Sequence, residues 1–166
     1  MMHPVPPDEL RAVNFPHVGF DGMETNGMLI VHRIIEPALT DILDFAYRIG
    51  FPIHKAVPID DPRYNGDDEL SMADNNSSCF NDRTIAGTDR ISMHALGLAV
   101  DINPALNPYL SSEGIWYPDE SHIDRSELAP GMFSVDHPVV QAFIAGGFEW
   151  GGTWERPDYH HFEWIL

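Results

Sequence analysis

The chain has 166 residues, 43% of them hydrophobic, and a formal net charge of −17. This length suits one domain with a hydrophobic core, so residues 1–166 are predicted to form a single domain. The acidity argues against nucleic-acid binding and against attraction to anionic membranes or wall polymers. No window reaches the roughly 18 apolar residues of a membrane span, and no signal-peptide pattern is visible at the start.

The first half of the chain predicts an irregular arm, a strand, a helix and a second strand. Residues 1–27 are rich in Pro, Gly and Asn and are expected to form the arm. The apolar run MLIVHRII, residues 28–35, predicts a strand, and PIHKAVPI, residues 52–59, is another candidate. Between them, EPALTDILDFAYRIG predicts a helix, because its apolar residues recur at helical spacing and Gly50 is a stop signal.

The second half alternates long polar stretches with short apolar ones. Residues 60–90 and 104–135 lack strong periodicity, which in a small domain is typical of functional loops. LGLAVDI predicts a buried strand, and DHPVVQAFIAGG predicts a helix capped by Asp136 or His137. FEWGG and HFEWIL predict two closing strands. Helices with short, mainly antiparallel strands indicate an α+β fold.

Two segments carry residues suited to metal chemistry. A hydrolytic metal site needs about three protein ligands, an open position, and a further carboxylate that takes the proton of the attacking water. His94 and Asp101 can supply two ligands if the turn between them folds back tightly, and the small Gly97 favours this. Near the C-terminus, Asp158 lies three residues before His161. The spacing alone leaves a metal site and purely structural histidines equally open.

Strand alternation separates the two adjacent histidines near the C-terminus. If HFEWIL is a strand, His161 and Glu163 share one face, while Phe162 packs on the other. Glu163 can then contact the ring of His161 on the side away from a metal. His160 lies before the strand and is expected to point elsewhere.

Both segments match the signatures of a known family. SMHALGLAVD resembles the S-x-H-x-x-G-x-A-x-D signature of the VanX/VanY-like zinc peptidases. GFEWGGTWERPDYHHFEW resembles their second signature, W-G-G-x-W followed by D-x-x-H-F-E. The resemblance covers roughly half of the chain. It implies one catalytic domain with a hedgehog/DD-peptidase-like fold, a small mainly antiparallel sheet flanked by helices.

The resemblance also implies a role for each matching residue. One Zn²⁺ per chain would be bound by His94, Asp101 and His161, and Asp158 would be the catalytic carboxylate. Arg83 is the best match to the arginine that stabilises the carbonyl oxygen, with Arg90 as the alternative. Ser92 opens the first signature and is expected near the substrate, and Trp154 is a candidate wall residue of the substrate groove.

The function implied by the resemblance is hydrolysis of peptidoglycan peptides or muropeptides by a zinc metallopeptidase. A D-alanyl-D-alanine carboxypeptidase is favoured because NPALNPY and NNSSCFN resemble carboxypeptidase-type relatives. The D-x-x-H-F-E ending keeps an L-alanyl-D-glutamate endopeptidase as the alternative. A non-catalytic zinc-binding domain, as in hedgehog signalling domains, is a third hypothesis, which the presence of Asp158 disfavours.

The expected substrate also bears on location and partners. Peptidoglycan favours a secreted, periplasmic or cell-wall-associated protein, whereas the lack of a visible signal peptide keeps a cytoplasmic phage lysis enzyme as an alternative. Neither nucleic acid nor a membrane is expected as a partner. The sequence indicates no oligomeric state.

Overall fold

A β-hairpin opens the fold in the computed structural model, which describes residues 5–82 and 90–166. After a short 3₁₀ turn, β1 (Leu10–Val18) pairs antiparallel with β2 (Glu24–His32). The expectation of an irregular arm over residues 1–27 is therefore wrong for these strands. In β1 the side chains of Val13, Phe15 and His17 are buried in alternation with exposed ones, a period of two that the Pro-, Gly- and Asn-rich composition obscures.

The predicted first helix is confirmed. Helix α1 (Glu36–Arg48) buries one apolar stripe, formed by Leu39, Ile42, Leu43 and Ala46, and packs against β1. Gly50 follows with a φ of +75°, a left-handed conformation that glycine adopts without steric cost. No helix within the described ranges is long and apolar enough to cross a membrane.

The polar region after α1 contains more regular structure than its sequence indicates. The candidate strand over residues 52–59 shrinks to β3 (Lys55–Ala56), because side-chain oxygens of Asn103 and Asn76 accept the backbone N–H groups of His54 and Val57. Helix α2 (Asp68–Ala73) begins at Asp67, whose carboxylate accepts a hydrogen bond from the N–H of Leu70. Strand β4 (Asn76–Ser77) then pairs parallel with β3.

The remaining elements build the sheet that carries the candidate site. Strand β5 (Ala99–Asp101) precedes the small hairpin of β6 (Tyr109–Leu110) and β7 (Trp116–Tyr117). Helix α3 (Pro138–Ala145) has His137 as its N-cap and leads to β8 (Phe148–Trp150) and β9 (His161–Trp164). Strands β5, β9 and β8 form an antiparallel sheet in that order, which places Asp101 of β5 opposite His161 of β9.

One apolar core lies between this sheet, the β1–β2 hairpin and helices α1 and α3. Phe162 of β9 is fully buried; its ring stacks on Phe143 of α3 at 3.9 Å and meets Phe133 edge-on at 5.2 Å. Because side chains alternate along β9, this anchoring turns His161 to the opposite face of the sheet. The mixture of helices with small, mostly antiparallel sheets agrees with the predicted α+β class.

Candidate metal centre

A tight turn returns the chain from His94 to Asp101. Ser92 caps a 3₁₀ turn, Met93–Leu96, by accepting the N–H of His94 at 3.2 Å. Gly97 ends the turn at a φ of +69°, and a Cβ on it would lie 2.6 Å from the backbone nitrogen of His32. The fold therefore requires glycine at this position, and the turn leads directly into β5 and Asp101.

His94, Asp101 and His161 converge in a buried cluster. Their candidate ligand atoms all lie within 4.8 Å of one another. Nε2 of His94 is 3.1 Å from Oδ2 of Asp101, and Nδ1 of His161 is 3.2 Å from Oδ1. The three residues come from the turn, β5 and β9, so the strand register brings the two sequence signatures together.

The hydrogen bonds behind the two histidines leave the correct nitrogens free for a metal. Nδ1 of His94 lies 2.7 Å from the carbonyl oxygen of Cys79, which can only accept, so Nδ1 carries the hydrogen. Nε2 of His161 lies 2.8 Å from the carboxylate of Glu163 and donates in the same way. The opposite nitrogens, which face Asp101, are then the ones that can bind a metal once they hold no proton. Two imidazoles and a carboxylate with these outer contacts form a donor set that fits a metal ion.

The electrostatics of the cluster favour a cation. Burial opposes ionisation of Asp101, but the neighbouring His94 and His160 outweigh it and hold the carboxyl pKa well below its usual range. Burial alone would lower the pKa of His161, yet hydrogen bonds with Asp101 and Glu163 raise it to about 10. Without a metal the cluster thus retains a proton, and a bound metal ion would take over that positive charge.

Asp158 stands beside the three candidate ligands. Its backbone N–H donates to the carbonyl oxygen of Gly151 at 2.9 Å, and its Oδ2 lies 4.0 Å from Nδ1 of His161. Burial raises the pKa of the Asp158 carboxyl. Within residues 5–82 and 90–166, its buried Oδ1 accepts no hydrogen bond of good geometry. This carboxylate is thus positioned to accept a proton from a molecule at the cluster.

His160 contradicts the expectation that it points away. It is buried, its Nε2 lies 3.1 Å from Oδ1 of Asp158 and 3.8 Å from Oδ2 of Asp101, and its Nδ1 lies 2.6 Å from the carbonyl oxygen of Asn107. Residues 158–161 form a turn, in which the N–H of His161 meets the carbonyl oxygen of Asp158. Strand alternation begins only at His161 and so gives no information on His160. The sequence signal that could have pointed to His160 was its position directly beside the candidate ligand His161.

A cavity of about 580 Å³ opens onto the cluster. Ser92 and Trp154, the two residues expected near the substrate, line this cavity, and the Trp154 ring centroid is 5.4 Å from that of His161. Arg83, the expected oxyanion stabiliser, lies outside the described residues. Arg90, its alternative, is exposed and directly precedes the cavity-lining residues Ile91 and Ser92.

The comparison with protein families agrees with this geometry. A family model described as D-alanyl-D-alanine carboxypeptidase matches residues 86–164, slightly less than half of the chain. The matched segment contains all three candidate ligands and Asp158. The match confirms the resemblance drawn from the two signatures, and peptidases of the matching family depend on a metal. Searches of curated proteins and of solved structures found no match.

Proposed function

We propose that the protein is a zinc-dependent peptidase of the D-alanyl-D-alanine carboxypeptidase type, acting on the stem peptides of peptidoglycan. The observation that carries this proposal is the buried set of His94, Asp101 and His161 with the carboxylate of Asp158 beside it. Two histidines and one carboxylate form a usual ligand set for catalytic zinc, with one position left open. Such a substrate favours action at the cell wall or in the periplasm.

Asp158 does the proton transfer in the proposed mechanism. Zinc, when bound, supplies a Lewis acid that polarises the scissile carbonyl and lowers the pKa of water toward about 7. Asp158 accepts the proton of the attacking water and delivers it to the leaving amine, and its raised pKa suits both transfers. Glu163 orients the ring of His161. Arg83, in the role implied by the resemblance, would stabilise the developing charge on the carbonyl oxygen.

The cavity lining provides a partner for a substrate carboxylate. Within the part of the chain that the structure describes, Arg156 is the one arginine or lysine that lines the cavity. A carboxypeptidase substrate ends in a free carboxylate close to the scissile bond, and a guanidinium is a good partner for it. A γ-linked D-glutamate also carries a free carboxylate beside the bond that an L-alanyl-D-glutamate endopeptidase cuts, so Arg156 fits both activities. The description of the matching family favours the carboxypeptidase.

Identification of the released fragments tests the proposal. The zinc-loaded protein is incubated with a stem pentapeptide ending in D-alanyl-D-alanine and with muropeptides, and the products are identified by mass. We expect free D-alanine. A new D-glutamyl N-terminus would instead assign the endopeptidase activity, and no cleavage by zinc-loaded protein would indicate a non-catalytic zinc-binding domain.

The variant Asp158→Asn is the matched control for this experiment. It keeps the size of the side chain and removes the base, so we expect activity to fall about 10²- to 10⁴-fold while zinc binding is kept. Undiminished hydrolysis by this variant would show that the proposed mechanism is wrong.

A further inference from the structure

We infer that His160 is a positioning residue, which holds the carboxylate of Asp158 in the orientation needed to take a proton. The inference rests on the proposed function, in which Asp158 is the base. The role differs from metal binding, and it belongs to the residue directly before His161, the third candidate ligand. The contacts on its two ring nitrogens carry the argument.

One side of the His160 ring is hydrogen-bonded to the backbone of a buried asparagine, Asn107. Nδ1 lies 2.6 Å from the carbonyl oxygen of Asn107, which can only accept, so Nδ1 donates. The Asn107 side chain is itself fully hydrogen-bonded. Its Oδ1 accepts from Arg125 at 2.7 Å and from the N–H of Phe133 at 2.9 Å, and its Nδ2 donates to the carbonyl of Gly131 at 2.9 Å.

Aromatic contacts also pack against the His160 ring and its neighbour Tyr159. Tyr109 meets the His160 ring edge-on, with centroids 5.7 Å apart. The guanidinium of Arg125 lies 4.5 Å above the ring of Tyr159, the residue between Asp158 and His160. Arg125 therefore holds both Asn107 and Tyr159, and the loop that follows β7 is tied to the catalytic turn.

The other side of the ring faces the proposed base. Nε2 lies 3.1 Å from Oδ1 of Asp158, a close polar contact between the two side chains. Among the described residues Oδ1 has no hydrogen bond of good geometry, and its close polar contact is with His160. With its Oδ1 side held, Asp158 directs Oδ2 toward the ligand cluster, 4.0 Å from His161. Loss of this contact would free the carboxylate to rotate, and a misplacement of about 1 Å can cost about 10²-fold in rate.

Variants at His160 test the role. His160→Leu removes both polar contacts at similar volume, whereas His160→Gln keeps a side-chain N–H that can reach Asp158. His17→Leu is the control, because His17 in β1 is also 2% exposed but does not line the cavity. We expect His160→Leu to lower kcat roughly 10- to 100-fold, with KM and zinc content unchanged. His160→Gln should keep much of the wild-type kcat. His17→Leu should leave kcat unaltered.

Each contrary result has a definite meaning. Unchanged kcat in His160→Leu, an equal loss in His160→Gln, or loss of zinc from His160→Leu would each overturn the inference. Thermal unfolding of every variant is recorded, and His160→Asn, which is too short to reach both partners, replaces His160→Leu if that variant does not fold.

A crystallographic measurement separates this inference from the proposed function. If the zinc-loaded wild type cleaves none of the peptides, the proposed function fails, yet structures of zinc-loaded wild type and His160→Leu still report on Asp158. A carboxylate that is ordered in the wild type and displaced in the variant supports the positioning role. A carboxylate in the same place in both structures overturns it.

Discussion

At the scale of single residues, Glu163 shows how the site depends on groups that do not touch the metal. It accepts a hydrogen bond from Nε2 of His161 at 2.8 Å, which leaves Nδ1, the nitrogen that faces Asp101, as the one available to a metal. Such outer partners commonly contribute 10- to 100-fold in metal affinity. We expect Glu163→Gln to weaken zinc binding by about that factor, measured by competition with a chelator.

A neighbouring glutamate provides the control for this prediction. Glu155 also lines the cavity and is exposed, so Glu155→Gln makes the same change of charge without touching a candidate ligand. Zinc affinity should be nearly unaltered in that variant. An equal loss in both variants would mean that overall charge, and not the contact with His161, is responsible.

His17 is a buried titratable residue away from the cluster, and it links stability to pH. Burial lowers its pKa below the ordinary 6.5, so below about pH 6.5 the unfolded chain binds a proton that the folded chain resists. The free energy of unfolding is therefore fully retained above that pH, where the His17 ring is neutral in both states, and part of it is lost as the pH falls. We expect the free energy of unfolding, measured by denaturant titration, to decrease less between pH 7.5 and 5.5 in His17→Gln than in the wild type. An equal decrease in the two proteins would contradict this prediction.

At the scale of elements, the turn between His94 and Asp101 is tied to the N-terminal hairpin. The N–H of His32, at the end of β2, donates to the carbonyl oxygen of Gly97 at 2.8 Å. A Cβ at Gly97 would meet that same nitrogen at 2.6 Å, in addition to the strain of a positive φ. The first signature therefore depends on close contact with a segment that lies far away in sequence.

Substitution of Gly97 measures this dependence. Gly97→Ala should lower stability by more than the ~1–3 kcal/mol of backbone strain, because the backbone of His32 must also move. Gly22→Ala is the matched control: Gly22 has a similar φ of +78°, but nothing lies within 4 Å of its added Cβ. Thermal unfolding of the two variants isolates the effect of the clash, and equal losses would contradict it.

The sequence predicted those elements whose pattern is local. Helix α1 follows from helical periodicity, and β9 from the alternation of His161, Phe162 and Glu163. The run MLIVHRII predicted the second half of β2, but β1 was missed, because Pro16 interrupts a period of two that the burial of β1 reveals. His160 was missed because its orientation is set by Asn107, 53 residues earlier in the chain.

At the scale of the whole molecule, the net charge of −17 governs contact with anionic polymers. Repulsion should slow approach to an intact, negatively charged wall, and salt should screen it, since the Debye length is about 10 Å at 0.1 M and shorter at higher salt. We expect the cleavage rate of intact wall to rise with salt more than that of a short soluble stem peptide. Equal salt dependence for the two substrates would contradict this expectation.

Metal binding should also contribute to the stability of the entire fold. The candidate ligands join the turn, β5 and β9, and an ion that binds only the folded chain stabilises it by mass action. We expect removal of zinc by a chelator to lower the midpoint of thermal unfolding of the wild type by several degrees. Asp101→Asn, which weakens the ligand set, should respond less; an unchanged midpoint in the wild type would contradict the prediction.

The pairing of Asp101 with His161 has a consequence for how the chain folds. A slip of one residue between β5 and β9 would put Phe162 among the ligands and turn His161 into the apolar core. An ion present during refolding would bind molecules with the native pairing of β5 and β9 in preference to molecules with the shifted pairing. Metal binding would then favour the native register of β5 and β9. Refolding with zinc should therefore give a higher yield of native protein than refolding with a chelator.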